Sequence, residues 1–526
     1  MSVQPVLING QWQEANATDK FQSYNPATTE ALPDEYPVSS WQDCEAALAA
    51  ATRAATALRS TPANQIASFL DCFADRIEAR KDELVTMANA ETALPSSPRL
   101  GDVELPRTSG QLRQAAAAAR DGSWVSATID TKTNIRSCFG PIGPVCVFGP
   151  NNFPFAFNSI SGGDFAAVIA AGNPVIAKAN SSHPGTTRLF AEEALVAEQE
   201  TKMPRGTVQL LYRLNHADGE KLVSDPRVGA TGYTGSRGAG LKLKAAADAA
   251  GKPIYLELSS VNPVVILPGV IDERSEELAD EFASSCLMGT GQFCTNPGLV
   301  VLLKSEATEN FVDQVKQRFQ AAPVGTLLSE SVQRSLGENL KTLVDSGATS
   351  ITGNESGGGN GYSFANTLLT VSGEQFVTNA GALQTEAFGN CSLFVIADDV
   401  TEACEVISRL EGNLTGCVYS HSGGNDDESY DRVAAELRTK VGRLLNDKMP
   451  TGVAVSAAMN HGGPYPATGH PGFTAVGMPT SISRFAMLQC YDNIRPHRLP
   501  ASLANKNPSG KMWRLIDGEW TQGDVS

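Results

Sequence analysis

The chain has 526 residues, of which 41% are hydrophobic and 19% charged, and its formal net charge is −16. This length exceeds what one hydrophobic core usually supports, so we expect two or three packed units. The hydrophobic and charged fractions are ordinary for a soluble globular protein. The acidic balance excludes a nucleic-acid partner, because phosphate binding needs a basic surface.

Cellular location and metal binding can also be judged from the composition. The start of the chain has no basic stretch followed by an apolar core, and no apolar run approaches the ~20 residues of a membrane span. Ten cysteines without paired spacing suit a reducing compartment. Six dispersed histidines show no HxxH spacing. We therefore expect a cytoplasmic protein with no membrane partner and no metal.

The N-terminal part is predicted to carry helices. Apolar residues recur at helical spacing over residues 41–59 and 65–90, with charges on the opposite side. Residues 123–138 alternate polar and β-branched side chains, which predicts an edge hairpin. Because this hairpin has no obvious partner nearby, it is a candidate for contact with another copy of the chain.

From residue 140 onward, short apolar strands alternate with helices. Strands are predicted at 145–148, 174–177, 208–212, 228–233 and 254–258, and this alternation predicts a parallel sheet covered on both faces, as in doubly wound nucleotide-binding folds. A second α/β unit is predicted from 264 to about 446. The glycine-rich stretch 353–361 is interpreted as a surface loop, and the chain from 451 onward as ordered loop plus a closing arm.

Cys294 is the first candidate for chemistry. It lies between glycines in the polar loop Gly289–Gly298, directly after a helical stretch. Most cysteines are small buried hydrophobes, but thiol reactivity follows the surroundings, and this loop is typical of an accessible nucleophile. Asn152 and Glu257 stand in segments that suit the same site.

Five residues suggest a phosphorylated dinucleotide. Gly235 and Ser236 lie between a strand and a helix, where free backbone N–H groups can bind an anion, although a simple tight turn is an alternative. Lys178 and Ser181 follow the second strand, where dinucleotide folds often have an acidic residue, and Arg213 follows the next strand. These three can hold a 2'-phosphate, unless they are solvated surface groups. We therefore expect NADP in preference to NAD.

Further segments complete a family pattern. Ile8-Asn9-Gly10, Asn25-Pro26-Ala27-Thr28 and Glu386-Ala387-Phe388-Gly389 accompany the residues above. In this order and at these separations the chain resembles the aldehyde dehydrogenase superfamily over nearly its whole length. The resemblance implies an α/β fold with a Rossmann-type cofactor domain, an α/β catalytic domain and a β oligomerisation arm.

The resemblance also implies domain limits. Residues 1–122 and 140–258, with about 462–485, would form the NADP-binding domain, and 259–461 the catalytic domain. Residues 123–139 and 486–526 would form the oligomerisation arm and the C-terminal tail. The assembly implied is a homodimer or a dimer of dimers.

The same resemblance assigns roles to individual residues. Cys294 would attack the aldehyde carbon, while the Asn152 amide and the backbone N–H of Cys294 hold the oxyanion of the thiohemiacetal. Hydride transfer to the nicotinamide would leave a thioester, and Glu257 would activate the water that hydrolyses it. Glu386 would bind the nicotinamide ribose, and Phe388 would pack against it.

The chain departs from the family pattern at positions that bear on cofactor fit rather than on chemistry. Ser259 and Ser260 replace a glycine pair after the glutamate, Asn151 replaces a tryptophan, and Asn390 replaces a proline. Every position that reacts is filled.

Four segments narrow the resemblance to a branch. Arg443–Asp447, Pro450–Val453, His461–Thr468 and Glu104–Arg113 are similar to α-ketoglutaric semialdehyde (2,5-dioxovalerate) dehydrogenases. NADP-preferring long-chain aldehyde dehydrogenases are similar too, so a dehydrogenase of fatty or aromatic aldehydes stays an alternative.

The substrate's carboxylate would need a cation, ideally a bidentate arginine. Arg107 is the candidate, and its alternative role is a helix-surface salt bridge with Glu104 at i, i+3. Phe153, Phe157 and Ile160 are expected to form apolar walls of the substrate tunnel.

A different class of function is a cysteine hydrolase or acyltransferase that uses Cys294 without redox chemistry. Such an enzyme needs a histidine base, and the pattern places none near Cys294; His461 is interpreted as structural. Glu257 argues against a coenzyme A acylating enzyme, which dispenses with a water-activating base.

Overall fold

The computed structural model of the chain describes residues 3–525, so residues 1, 2 and 526 of the predicted domains lie outside the described residues. The strands form four sheets, of seven, three, seven and five strands. In chain order the strands are β1 (Val6–Ile8), β2 (Gln11–Gln13), β3 (Ala17–Tyr24), β4 (Ala31–Ser39), β5 (Thr128–Asp130), β6 (Ile135–Pro141), β7 (Val145–Phe148), β8 (Val175–Lys178), β9 (Val208–Leu211), β10 (Arg213–Leu214), β11 (Ala230–Thr234), β12 (Ile254–Glu257), β13 (Val264–Ile266), β14 (Leu299–Leu303), β15 (Thr349–Thr352), β16 (Thr367–Ser372), β17 (Cys391–Ala397), β18 (Asn413–Tyr419), β19 (Val441–Asn446), β20 (Ala486–Asp492), β21 (Arg514–Ile516) and β22 (Glu519–Thr521).

The helices pack on both faces of the two large sheets. A π-helical segment, Ser96–Glu104, leads directly into the fourth helix. In chain order the α-helices are α1 (Trp41–Leu58), α2 (Ala63–Ala79), α3 (Lys81–Thr92), α4 (Leu105–Asp121), α5 (Gly163–Ala170), α6 (Pro184–Glu200), α7 (His216–Val223), α8 (Arg237–Ala249), α9 (Pro268–Leu287), α10 (Glu306–Ala321), α11 (Glu330–Asp345), α12 (Gly373–Thr378), α13 (Ala380–Leu383), α14 (Val400–Ser408) and α15 (Asp427–Arg438).

The first large sheet has the strand order β12-β11-β7-β8-β9-β1-β2. Strands β7, β8, β9, β11 and β12 are parallel, and the β1–β2 hairpin extends the sheet in antiparallel fashion. The predicted doubly wound parallel sheet is therefore confirmed. Its strand ends lie side by side, because Phe148 pairs with Lys178 and Thr234 pairs with Glu257. Loops that follow parallel strands meet at this carboxyl edge, where doubly wound folds bind their ligands.

The second large sheet has the order β15-β16-β17-β14-β13-β18-β19 and is parallel except for β15. Separate hydrophobic clusters cover its two faces, one around Leu393 and the other around Phe282 and Phe394. The Cys294 loop runs between α9 and β14, so it leaves a helix of this unit and returns to a central strand. The nucleophile loop is thus carried by the second unit and faces the first.

The five-stranded sheet, which we call the third sheet, is separate from the two large sheets. It has the order β20-β6-β5-β21-β22, and the predicted hairpin forms its strands β5 and β6. β20 pairs with β6 over its full length, from Ala486 opposite Pro141 to Asp492 opposite Ile135. Met487 and Leu488 on β20 are exposed.

Several predicted elements were wrong in detail. Strands β1–β4 were missed. β1 pairs with β2 and β3 pairs with β4 as local hairpins, and β1 and β4 also pair with strands distant in sequence; Leu7, for example, pairs with Leu210. The predicted helix over 65–90 is two helices, since the chain leaves helical geometry at Arg80. Residues 123–125 form a 3-10 turn rather than a strand. Within the part of the chain that the structure describes, no helix is long and apolar enough to cross a membrane.

Candidate active site

The Cys294 loop is fixed by tight backbone turns. A 3-10 segment, Met288–Gly291, follows α9, and Gly291 has a φ of 68°. A Cβ atom at Gly291 would lie 2.0 Å from the carbonyl oxygen of Gly389, so only glycine fits this close approach. The Asn262 side chain donates to the carbonyl of Cys294 at 2.9 Å. These contacts hold the thiol at a fixed place opposite the carboxyl edge of the first sheet.

His461 lies between the two predicted reacting groups. Its Nε2 is 2.9 Å from Oε1 of Glu257 and 3.5 Å from Sγ of Cys294, and both His461 and Glu257 are buried. The other carboxylate oxygen of Glu257, Oε2, is buried without a hydrogen-bond partner. The expectation that no histidine lies near Cys294 was therefore wrong.

The position of His461 is set by its own backbone. Its N–H donates to the hydroxyl of Thr474 at 3.0 Å. Gly462 and Gly463 follow, and Cβ atoms there would lie 2.1 and 2.3 Å from the carbonyl oxygens of Phe473 and Asn413. This glycine pair lets the chain pass close to neighbouring strands and loops, and it was the signal in the sequence that could have placed His461 in a constrained site.

The three groups are close enough to share protons. Ligand atoms of Glu257, Cys294 and His461 all lie within 4.8 Å of one another. Burial raises the pKa of Cys294 well above its ordinary value; the Glu257 carboxylate raises it further, and the charge of Arg107 opposes both. The resting nucleophile is therefore a thiol that needs a base. The same three side chains are also of the kinds that bind zinc, and the expected absence of a metal stays a prediction.

Asn152 lies beside the nucleophile loop. It is buried, and its Nδ2 donates to the carbonyl of Gln292, two residues before Cys294, at 2.9 Å. Its own carbonyl accepts a hydrogen bond from Arg99 Nη2 at 3.0 Å. The structure thus places the predicted oxyanion donor next to Cys294.

Arg107 does not form the alternative salt bridge. Glu104 pairs instead with Arg99 at 2.6 Å, and no ion pair of Arg107 occurs among residues 3–525. Arg107 Nη1 donates to the carbonyl of Val453 at 2.9 Å, while its Nε and Nη2 are buried without partners. Burial lowers the pKa of Arg107, and the charges of Glu104 and Cys294 oppose this shift. Arg107 is therefore a half-buried cation with two buried, unpartnered nitrogens and no counter-ion among the described residues.

Aromatic rings surround the space between Arg107 and the reacting groups. Phe153 packs edge-to-face against Phe157 at 5.3 Å and against Phe293 at 5.4 Å, and Phe157 lies 5.8 Å from the His461 ring. Ile160, in contrast, is fully buried in the hydrophobic core of the first unit. It belongs to a different cluster from the three phenylalanines, and its role as a tunnel wall stays a prediction.

The predicted cofactor residues line one cleft at the carboxyl edge of the first sheet. Lys178, Ser181, Arg213, Gly235 and Ser236 all border it. Arg213 Nε donates to the Ser181 hydroxyl at 3.2 Å. Burial lowers the pKa of Lys178 to about 8, and the charge of Arg213 lowers it further. Two cations and a hydroxyl at the base of a cleft fit a phosphorylated dinucleotide.

The cleft continues to the reacting groups. Gly235 and Ser236 also border a second cavity, which is lined by Glu257, Cys294, Asn152, Glu386 and Phe388. Burial raises the pKa of Glu386 to about 7, and hydrogen bonding from Ser259 and Ser260 opposes the shift. The serines that replace the family's glycines therefore face this carboxylate.

Comparisons with known proteins agree with this geometry. The family model described as "Aldehyde dehydrogenase family" matches residues 12–464. The chain is 36% identical to alpha-ketoglutaric semialdehyde dehydrogenase 2 of Azospirillum brasilense and 34% identical to alpha-ketoglutaric semialdehyde dehydrogenase of Acinetobacter baylyi, in each case over 98% of both chains. Lactaldehyde dehydrogenase from Escherichia coli has the same fold, with a TM-score of 0.80 at 22% identity over 93% of this chain and 98% of that one.

The family match explains why a thiol, a carboxylate and an amide meet at the end of a dinucleotide cleft. It also excludes the non-redox hydrolase as the main activity, although His461 would supply the base that such chemistry needs. The chain belongs to the aldehyde dehydrogenase family, whose members oxidise aldehydes with NAD(P).

Proposed function

We propose that this enzyme oxidises α-ketoglutaric semialdehyde (2,5-dioxovalerate) to 2-oxoglutarate, with NADP preferred. The observation that carries the proposal is the Arg107 guanidinium, whose Nε and Nη2 are buried without hydrogen-bond partners. A buried charge is costly unless an anion compensates it. The carboxylate of the substrate is such an anion. The curated relatives named above support the same substrate class.

The reaction begins with loss of the thiol proton. With the ring hydrogen on Nδ1, His461 Nε2, at 3.5 Å from Cys294 Sγ, accepts the proton. The Nε2–H so formed donates to Oε1 of Glu257 at 2.9 Å, which stabilises the imidazolium. The thiolate then forms a bond to the aldehyde carbon, and the carbonyl π electrons move to its oxygen. The Asn152 amide and the backbone N–H of Cys294 stabilise this oxyanion.

NADP, when bound, supplies the acceptor for the hydride of the aldehyde carbon. Lys178, Ser181 and Arg213 would hold its ribose phosphate, and Glu386 and Phe388 its nicotinamide end. The chain is then left with a thioester on Cys294.

Hydrolysis of the thioester needs a water and a base. Oε2 of Glu257 is buried, has no hydrogen-bond partner and faces the cavity that contains Cys294. It takes a proton from the water as the oxygen bonds to the acyl carbon. The C–S bond breaks, the sulfur regains a proton, and 2-oxoglutarate leaves.

Steady-state kinetics with NADP and NAD test this proposal. The substrates are 2,5-dioxovalerate, succinic semialdehyde and decanal, and we expect the highest kcat/KM for 2,5-dioxovalerate with NADP. The cluster of Phe153, Phe157 and Phe293 favours the alternative, a dehydrogenase of neutral fatty or aromatic aldehydes. A highest kcat/KM for decanal would establish that alternative and reject the semialdehyde.

The proton transfer through His461 has its own test. His461→Asn keeps a polar side chain but cannot accept the thiol proton, so we expect kcat to fall by about 100-fold or more, as is typical when a general base is lost. The rate of alkylation of Cys294 by iodoacetamide should fall as well, while NADP binding is unchanged. Unaltered alkylation at neutral pH would show that Glu257 deprotonates the thiol without His461.

We also infer that the arm forms the contact between copies, as a homodimer or a dimer of dimers. Met487 and Leu488 are 48% and 63% exposed on β20, an edge strand of the third sheet. Exposed apolar edge strands are templates for pairing with another chain. A cytoplasmic location stays a prediction.

A further inference from the structure

A second arginine, Arg443, resembles Arg107 in having no counter-ion among the described residues. Arg443, on β19, is half-buried, and its Nε is buried without a hydrogen-bond partner. No ion pair of Arg443 occurs within residues 3–525. Burial lowers the pKa of Arg443, and the charges of Cys294 and Cys417 oppose the shift. Arg443 is therefore a second arginine with no counter-ion among the described residues.

The two arginines hold the same short segment from two sides. Arg443 Nη2 donates to the carbonyls of Pro450 and Gly452, at 2.9 and 3.2 Å. Arg107 Nη1 donates to the carbonyl of the next residue, Val453, at 2.9 Å. The two guanidinium groups therefore contact consecutive residues of one segment.

That segment rests on the nucleophile loop. The backbone N–H of Gly452 donates to the hydroxyl of Thr295, the residue after Cys294, at 3.1 Å. Arg443 is therefore connected to the nucleophile loop through a single residue, Gly452. Neutral carbonyls satisfy part of each guanidinium but do not compensate its charge.

We propose that Arg443 is a second specificity-determining residue, which together with Arg107 forms a two-arginine subsite for the carboxylate of the substrate. The inference rests on the proposed function, because it assigns a partner to the substrate's anionic end. Nε and Nη2 of Arg107 and Nε of Arg443 are the unpartnered donors, and the combined charge of the two arginines favours a 2-oxo carboxylate over a neutral aldehyde. Arg443 lies on β19 and Arg107 on α4, so each of the two large units contributes one residue to the subsite.

The test uses Arg443→Gln, which keeps an N–H donor for the carbonyls of Pro450 and Gly452 but removes the charge. The substrates are 2,5-dioxovalerate, 5-oxopentanoate, which keeps the carboxylate without the keto group, and pentanal, which is neutral. We expect kcat/KM to fall about 10- to 100-fold for both acids, as for loss of a charged hydrogen bond, and to stay within about threefold for pentanal.

Two further variants keep the test decisive. Arg443→Lys restores a positive charge and should recover part of the activity on the acids, which a purely structural role would not require. In Arg107→Met protein, the additional loss caused by Arg443→Gln should be smaller than in the wild type, because residues that bind one group are coupled. If Arg443→Gln does not fold, Arg443→Lys against the same three substrates still measures the preference for acids.

The outcomes separate the two proposals. A wild-type enzyme that prefers pentanal to 2,5-dioxovalerate rejects the proposed function itself. A wild-type preference for the acids, with equal losses on all three substrates in Arg443→Gln, rejects only the role of Arg443 and makes it a tether of the 450–453 segment.

Discussion

Arg99 and Arg107 come from one stretch of chain and stand over the same aromatic ring, yet they differ in their counter-charges. Their guanidinium carbons lie 4.3 and 5.9 Å from the centre of the Phe153 ring. Arg99 forms an ion pair with the fully buried Glu104, whereas Arg107 has only a backbone carbonyl. A compensated buried arginine supports the fold, and an uncompensated one is available to an anionic ligand.

The largest expected effect comes from breaking the compensated pair. Glu104 also accepts hydrogen bonds from the backbone N–H groups of Phe155 and Ala156, at 2.9 and 3.0 Å. Glu104→Gln leaves Arg99 buried without a counter-ion, which should lower the free energy of unfolding by about 3–5 kcal/mol. Denaturant unfolding measures it.

Arg107→Met is the matched control for that experiment. It removes a buried charge that has no partner, so the free energy of unfolding should be unchanged or higher. Equal destabilisation by the two variants would mean that Arg107 supports the fold as Arg99 does.

The intermediate effect concerns catalysis by the same Arg107→Met protein. We expect kcat/KM for 2,5-dioxovalerate to fall. The fall should correspond to a loss of about 1.5–3 kcal/mol of transition-state stabilisation, the usual value of a hydrogen bond to a charged group. Decanal should be oxidised as efficiently as by the wild type. Equal losses on both substrates would make Arg107 a structural residue.

The smallest expected effect is on the affinity for NADP and concerns Lys178, which borders the cofactor cleft. The pKa of Lys178 is lowered to about 8, so the ammonium is charged below this pH and neutral above it. A bound phosphate favours the charged form, and the affinity for NADP should therefore fall as pH rises, by about fourfold at pH 8.5. Titration of NADP binding from pH 7 to 9 measures it. Lys178→Arg, which stays charged, should show no such decline.

The sequence predicted those elements that are recognisable from neighbouring residues alone. β7 was predicted with its observed limits, because four apolar residues end at a glycine–proline turn. β1 and β4 were not predicted; besides their local hairpin partners β2 and β3, they pair with β9 and β10, which lie more than 170 residues away. Short strands that are defined by remote partners leave little trace in their own residues.

The same distinction holds within the site. Cys294, Asn152 and Glu257 follow recognisable strand or helix ends, so their positions could be predicted. His461 comes from a loop 167 residues beyond Cys294, and no periodic pattern marks it. The pairing of Glu104 with Arg99 rather than with Arg107 was also out of reach, because the π-helical geometry of Ser96–Glu104 decides which guanidinium meets the carboxylate.

The raised pKa of Cys294 bears on how long the protein survives in an oxidising environment. Peroxides and electrophiles attack the thiolate, and sulfenic acid formation follows thiolate character. Burial and the Glu257 carboxylate raise the pKa of Cys294, so both disfavour the form that these reagents attack. The acidic, buried surroundings that make a base necessary for catalysis therefore also act as chemical protection for the idle enzyme.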